Sequence, residues 1–515
     1  MKKSAILVLI SAAISGCMVG PDYQKPEAPI AETFKPTPDW KIAEPADNIE
    51  KGAWWKIYQD PVLDELMAQV APNNQNIAIY VARVRQAQAL AGGANASRYP
   101  SLGFNADGGR QGSGTGKGNL VNPDGSINNG AVSNLVDFQL GLSWDTDLWG
   151  KLRRNVESKD ASLVASVADV ENAKLSMQVQ LAQSYFNIRS LDSQKVLLTN
   201  TTVQNKRSVD ITRNAFDIGV KARQDLINAS TQHKSIEAQL IDVDVNRAAQ
   251  EAIIATLVGK PASIFSVAFN PLPGRASINV PVVPPGLPAE LLERRPDIAA
   301  AERRMAMSNA MIGYQMAAFF PSLTLNTNGN PGNNIGFFGT SFTQLFTAPY
   351  LFWGIGPALA LTVLDFGARS ANVEQARGVY DENVATYRQT VLTAMQDVET
   401  QLAALRVLEK EAVVQDEASA LAEKGVVIAM NRYQAGIDSY TNVVVYVNQA
   451  LTNQQKSIQI AQQRLNASVL LIKALGGSWT GQNKAPAKTP SATTESSTQQ
   501  SSKNDQPDQG PGGQG

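Results

Sequence analysis

The chain has 515 residues, 43% apolar and 18% charged, a balance that calls for a folded, well-packed protein rather than a disordered one. Lys and Arg number 45 against 46 Asp and Glu, which removes the electrostatic case for a nucleic-acid partner. One cysteine (Cys17) and one histidine (His233) exclude an internal disulfide framework and a Cys/His metal site, and an Asp-His-Ser or Cys-His catalytic system could use only His233.

At the N-terminus, Lys2 and Lys3 precede an apolar run from Ala5 to Ile14. A membrane-spanning helix needs about 20 residues, so this run reads as a cleavable export signal over residues 1–16. It ends Ile14-Ser15-Gly16-Cys17, which resembles the bacterial lipoprotein box, so a covalent lipid on Cys17 is expected. An ordinary signal with an incidental cysteine is the alternative. Met18, rather than an aspartate, follows the cysteine; by similarity to enterobacterial sorting rules this favours the outer membrane. No later stretch is apolar enough for a transmembrane helix, so a mature chain that crosses a membrane must do so as a closed barrel.

Sliding the sequence by 217 residues carries Trp149-Gly150 onto Phe366-Gly367 and Asn155-Val156 onto Asn372-Val373. The same shift carries Asn214, Phe216 and Gly219 onto Asn431, Tyr433 and Gly436. Upstream, Tyr99-Pro100-Ser101-Leu102 matches Phe320-Pro321-Ser322-Leu323 at a shift of 221. The pattern is a tandem duplication. It predicts an N-terminal segment over 17–75, one repeat over 76–260, a proline-rich linker over 261–296 and a second repeat over 297–476. A Ser/Thr/Gln/Pro/Gly tail over 481–515 is expected to be disordered.

Each repeat begins with a helix, Ile77–Ser97 or Ile298–Ala318. A hairpin follows, over 101–146 or 322–363. Its strands alternate, as in Phe138, Leu140, Leu142 and Trp144 against Gln139, Gly141, Ser143 and Asp145. One bulky apolar face and one small or polar face suits a strand between lipid and water, or one in a soluble sandwich. Loops are expected from Gly108 to Asn134 and from Gly329 to Ala348. The run Gly112–Gly118 imitates a phosphate loop but lacks the Ser or Thr after Lys117 and a following helix. Long helices, Lys151–Phe216 and Ala368–Tyr433, turn at Gly219 and Gly436 and return as Asp225–Leu257 and Asn442–Leu475. His233, within the polar run Ser230–Lys234, reads as part of a solvated helix face. Helices this long cannot bury themselves in one chain, so neighbouring chains are expected. A long soluble coiled coil is the alternative.

Three further stretches carry a resemblance: Cys17-Met18-Val19-Gly20-Pro21-Asp22-Tyr23, then Trp54-Trp55 with Asp60-Pro61, and Leu291-Leu292-Glu293-Arg294-Arg295-Pro296-Asp297-Ile298. With the duplication, they resemble the TolC-like outer-membrane factor family of tripartite efflux systems, in its lipoprotein branch. The resemblance implies an α+β membrane protein and a homotrimer. Four strands per chain would form one shared twelve-strand outer-membrane β-barrel, continued by a long α-helical periplasmic barrel. It implies a passive exit duct with no catalytic role and no cofactor beyond the Cys17 lipid. The implied partners are outer-membrane lipid, a periplasmic adaptor and an inner-membrane pump of the RND type. The implied location is the outer membrane of a Gram-negative bacterium. An exit duct for type I protein secretion and a lipid-anchored coiled-coil scaffold of the envelope remain alternatives.

The family also implies a gate at the two helix-turn-helix tips. Gly219, Val220, Gly436 and Ile437 fall where the adaptor is touched. Tyr433 and Asp225 match a tyrosine and an aspartate that link neighbouring helices in closed members, while Asp438 stands where those members carry an arginine. Lys221 or Arg223 could supply the missing charge from the other tip. Asn442 and Val445 stand where some members ring the pore with aspartates, and Val445 suggests an apolar constriction instead. Simple capping of the turns by these residues is the alternative.

Overall fold

In the computed structural model, the described residues are 18–27, 53–112, 132–272, 280, 295–327, 335–339 and 351–477. The expected signal segment, Cys17, most of the proline-rich linker, the phosphate-loop-like run beyond Gly112 and the tail lie outside them.

After a short 3-10 turn at Trp54–Tyr58, the Asp60 side chain accepts from the backbone N–H groups of Val62 and Leu63 and Pro61 opens helix α1 (Pro61–Asn73). Sequence reading had no helix here. Asn74 then ends α1 and starts α2 (Gln75–Ala96): its side chain accepts from Ile77 N–H at 3.1 Å and donates to the Leu257 carbonyl at 2.8 Å.

Strands β1 (Ser101–Gly112) and β2 (Val132–Asp145) pair antiparallel, with Leu102 opposite Leu142, Phe104 opposite Leu140 and Ala106 opposite Phe138. The period of two therefore gathers the bulky side chains on one face. Leu102 and Phe104 are 71% and 64% exposed there. The other edge of β2 receives two collinear pieces, β3 (Ser322–Asn326) and β4 (Ile335–Gly339). β5 (Leu351–Phe352) pairs with β4, and β6 (Gly356–Ala360) pairs with β3. The sheet is thus four antiparallel tracks, β1, β2, β3/β4 and β5/β6. Strand runs past the expected loop limits on both sides: β1 and β2 extend into the span given to the first loop, and β4 lies inside the span given to the second. Gly and Asn lower strand propensity, but pairing with β2 overrides it.

Helices α3 (Lys151–Asp217) and α6 (Ala368–Gln434) are 67 residues each, roughly 100 Å at 1.5 Å per residue. The returning helices α4 (Arg223–Leu257) and α7 (Tyr440–Ala474) are 35 residues each. Helix α5 (Pro296–Ala317) matches α2 at 22 residues. Arg295 ties the start of α5 to the end of α7, donating to the Ala474 carbonyl at 3.0 Å while pairing with Asp297 at 2.7 Å. No described helix is long and apolar enough to cross a membrane.

The largest apolar core is a belt where α1, α3, α4 and α7 meet, built on Trp54, Met67, Leu181, Phe186, Ile254 and Val469. Within it Asp60 accepts from Tyr185 at 2.7 Å and pairs with Arg189 at 2.9 Å. Burial raises the Tyr185 hydroxyl above its ordinary range, and the carboxylate of Asp60 adds to the shift, so the tyrosine remains a donor. Below and above the belt the helices meet along small residues such as Ala165, Ala168, Ser190 and Ser468, and many larger side chains, among them Val203, Val413 and Leu421, face outward. His233 corrects the solvated-face reading: it is half-buried, and its Nδ1 is enclosed without a hydrogen-bond partner.

Candidate functional site

The two tips are built alike because both turns need one residue in the left-handed region. Gly219 and Gly436 each have φ of 77°, where a Cβ would be strained. The chain then closes on the helix end, Val220 N–H donating to the Ala215 carbonyl at 2.9 Å and Ile437 N–H to Arg432 at 3.0 Å. This leaves Ile218, Val220 and Ile437 at 75%, 66% and 63% exposure, an apolar surface at the extreme end of each hairpin.

Behind the turns, Tyr433 and Tyr440 meet edge to face with ring centroids 5.2 Å apart. Both are buried among Val209, Ala229, Ala429 and Val443, so residues from both hairpins share one cluster. The Tyr433 hydroxyl lies 3.2 Å from Thr212 Oγ1, across the hairpin boundary. Burial raises it above its ordinary value of 10.0, Thr212 opposes the shift, and the charge of Asp225 adds to it. Lys221 of the first tip crosses to the second: its Nζ stands 4.2 Å from the Tyr433 ring centroid and donates to the Tyr433 carbonyl at 3.3 Å. Further up, Asn228 donates to Thr441 at 3.3 Å and Gln232 to Asn448 at 2.6 Å.

Of the residues singled out from sequence, Tyr433, Asp225 and Lys221 are brought together. Asp225 acts on Tyr433 through charge, while the hydroxyl bond goes to Thr212. Arg223 is exposed, and the cation that touches Tyr433 is Lys221. Asp438 stays within its own hairpin, paired with Arg432 at 2.6 Å, and the guanidinium holds its carboxyl below the usual range. Sequence reading missed Arg432 and Thr212. Asn442 and Val445 lie exposed on α7, clear of the tyrosine cluster. No group of three or more His, Cys, Asp or Glu suited to a metal occurs among the described residues.

Helices roughly 100 Å long thus carry apolar turn residues at one end and a small sheet with an exposed apolar face at the other. Residues 66–260 and 287–477 match the outer membrane efflux protein family. Among curated relatives, the pyoverdine export outer membrane protein OpmQ of Pseudomonas aeruginosa is 30% identical over 484 residues, covering 92% of this chain and 98% of its own. Among solved structures, the outer-membrane channel OprN superposes with a TM-score of 0.79 at 26% identity, over 90% of this chain and 100% of that one. The CmeC outer membrane channel of Campylobacter jejuni reaches 0.80 at 23% identity, over 90% and 96%, a likeness of fold alone. The chain belongs to the outer membrane efflux protein family. It is an efflux channel of the Gram-negative outer membrane.

Proposed function

We propose that three copies of this chain form one passive duct, with four strand tracks from each closing a twelve-strand barrel in the outer membrane. The observation that carries this reading is the sheet. Among the described residues β1 pairs only with β2 and the β5/β6 track only with β3/β4, so both edges are open while one face is apolar and exposed. Open edges and unpaired backbone are not tolerated in lipid, and four strands cannot close on themselves. The internal duplication supports the same reading: paired elements of equal length, repeated at constant shifts, let three chains line a tunnel with near six-fold regularity.

The remaining roles follow from position. Cys17 carries a covalent lipid that holds the chain to the outer membrane, and no other cofactor is needed. The tips around Gly219, Val220, Gly436 and Ile437 meet a periplasmic adaptor, which connects the duct to an inner-membrane pump of the RND type. Tyr433, Asp225 and Lys221 hold the two hairpins together at rest, with the Arg432–Asp438 pair bracing the second tip. Asn442 and Val445 face the closed mouth, where a valine ring restricts water and ions without a carboxylate ring. Purified protein should migrate as a heat-modifiable trimer and conduct ions in planar bilayers, and deletion of its gene should sensitise cells to exported small molecules. Folded protein with neither a heat-modifiable form nor conductance would make it an envelope scaffold instead; loss of a secreted protein with unchanged drug sensitivity would make it a secretion duct.

A further inference from the structure

The polar face of the sheet carries a pair of acids that a passive duct does not require. The register of β1 and β2 sets Asp107 directly opposite Asp137 and Asn105 directly opposite Gln139, on the face away from Phe104 and Leu140. Side chains directly opposite one another stand roughly 4.5–5.5 Å apart at Cβ, and same-face neighbours along a strand about 7 Å apart. Two carboxylates and two amides therefore converge on one small patch. Nothing near it on that face brings a positive charge. Gly103 and Gly141 lie on one side, Gly109 on the other, and β4 sets Phe338 in register with Asp137.

Asp137 is 8% exposed. The Gln139 amide donates to its Oδ2, whereas Oδ1 is enclosed and accepts no hydrogen bond among the described residues. An ionised carboxylate can only accept, and an enclosed acceptor without a donor bears its full desolvation cost. Asp107 adds a like charge directly across the ladder, which destabilises the pair further. One asparagine at either position would relieve the repulsion, and the duplication shows that the sequence has such a solution. At shifts of 221 and 217 the positions of Asp107 and Asp137 hold Asn328 and Gly354, while Asn105 keeps its counterpart in Asn326. The acid pair is confined to one copy. A cation removes both costs at once, since it neutralises the two charges and occupies the enclosed oxygen. The donors are all oxygen, two carboxylates and two amides, a set that suits calcium or magnesium and not a soft metal.

We propose that Asp107 and Asp137, with the side-chain carbonyls of Asn105 and Gln139, form an exchangeable site for a divalent cation of the calcium kind, one in each chain. Asp107 stands six residues beyond Ser101, where β1 leaves the helical end of the sheet, or roughly 20 Å along the strand. The site thus lies toward the outer mouth of the barrel. Cations held there by three copies set the charge that an ion or exported molecule meets on leaving. That the site faces a lumen rests on the closed barrel of three chains; the pairing of the two carboxylates within one chain does not.

The test uses purified full-length protein, calcium as the probe, and the variants Asp107→Asn, Asp137→Asn and both together. Equilibrium dialysis at neutral pH should find one saturable calcium site per chain in the parent. Either single variant should weaken it about tenfold or more, and the double variant should abolish it. The temperature at which the parent loses its heat-modifiable form should fall in chelator and recover with calcium. The double variant should respond to neither, which separates lost binding from lost folding. A parent without saturable binding overturns the site and leaves the two carboxylates sharing a proton; equal binding in parent and double variant overturns it as well. In planar bilayers, calcium on the extracellular side should lower the potassium conductance of the parent and have no effect on the double variant. Calcium that binds the parent but leaves its conductance unmoved overturns the lumen placement alone. A chain that never conducts sinks the duct, and dialysis then judges the site by itself.

Discussion

The tip contacts divide unequally between Tyr433 and Lys221. Tyr433→Phe removes one hydroxyl bond, to Thr212, worth about 0.5–1.5 kcal/mol, and keeps the ring under the ammonium. Lys221→Ala removes both the ring contact and the bond to the Tyr433 carbonyl, the former worth about 0.5–1 kcal/mol at an accessible site. In planar bilayers Lys221→Ala should therefore raise single-channel conductance more than Tyr433→Phe, and adding Asp225→Ala to Tyr433→Phe should raise it further. Conductance unmoved by all three would reduce these residues to turn packing. The pH dependence has a definite sign. Burial raises the Tyr433 hydroxyl above 10.0 against the opposing effect of Thr212, so the neutral form that burial favours is fully present below the ordinary tyrosine value and is lost only as pH rises through the raised one. Conductance should stay flat from neutrality to pH ~10 and increase beyond it. Lys221 was offered with Arg223 through the resemblance, in place of the arginine that Asp438 replaces, and the structure sets the Lys221 ammonium on the Tyr433 ring. Arg432 was not legible, because its partnership with Asp438 depends on how the turn at Gly436 folds the chain back, which no spacing rule reports.

Among elements, those with a strong period were legible and those set by a partner were not. The long helices emerge within a residue or two of their expected ends, because glycines with positive φ stop them and no proline interrupts them. Helix α1 went unread because it is short and its start depends on Asp60, whose other carboxylate oxygen is engaged by Tyr185 and Arg189 far along the chain. The ends of β1 and β2 were misplaced because glycine and asparagine signal loops in isolation, while an adjacent strand supplies the pairing that holds them extended. The alternation itself was read correctly, and it makes a face-specific prediction. Phe104 lies on the bulky face and Asn105 on the opposite one. Arginine on the lipid face of a barrel costs about 2–4 kcal/mol near the midplane, whereas the inner face tolerates charge. Phe104→Arg should thus deplete heat-modifiable trimer from the outer membrane, and Asn105→Arg should leave its amount unchanged while altering ion selectivity. Equal loss in both variants would refute the assignment of lipid and lumen faces.

For the whole molecule, the decisive question is whether the outer edge of β1 is open or paired with another copy. Consecutive residues of an antiparallel strand direct their N–H groups to opposite edges, so Phe104 and Asn105 differ: one donates toward β2 and the other away from it. Proline removes the donor and is tolerated in sheets only where that N–H would face solvent. An isolated four-track sheet, as in a lipid-anchored scaffold, therefore accepts proline at one of the two positions and rejects it at the other. A twelve-strand barrel closed between chains has no outer edge and rejects both. Trimer yield and conductance of Phe104→Pro and Asn105→Pro, measured beside the unchanged chain, separate the two architectures. Loss of heat-modifiable trimer in both is the expected result, since each N–H then belongs to a ladder, one within the chain and one between chains. Retention of trimer and conductance in the variant whose lost N–H faces away from β2 would mean that this edge is free, and the barrel would have to close by some other route than β1 against the β5/β6 track of its neighbour.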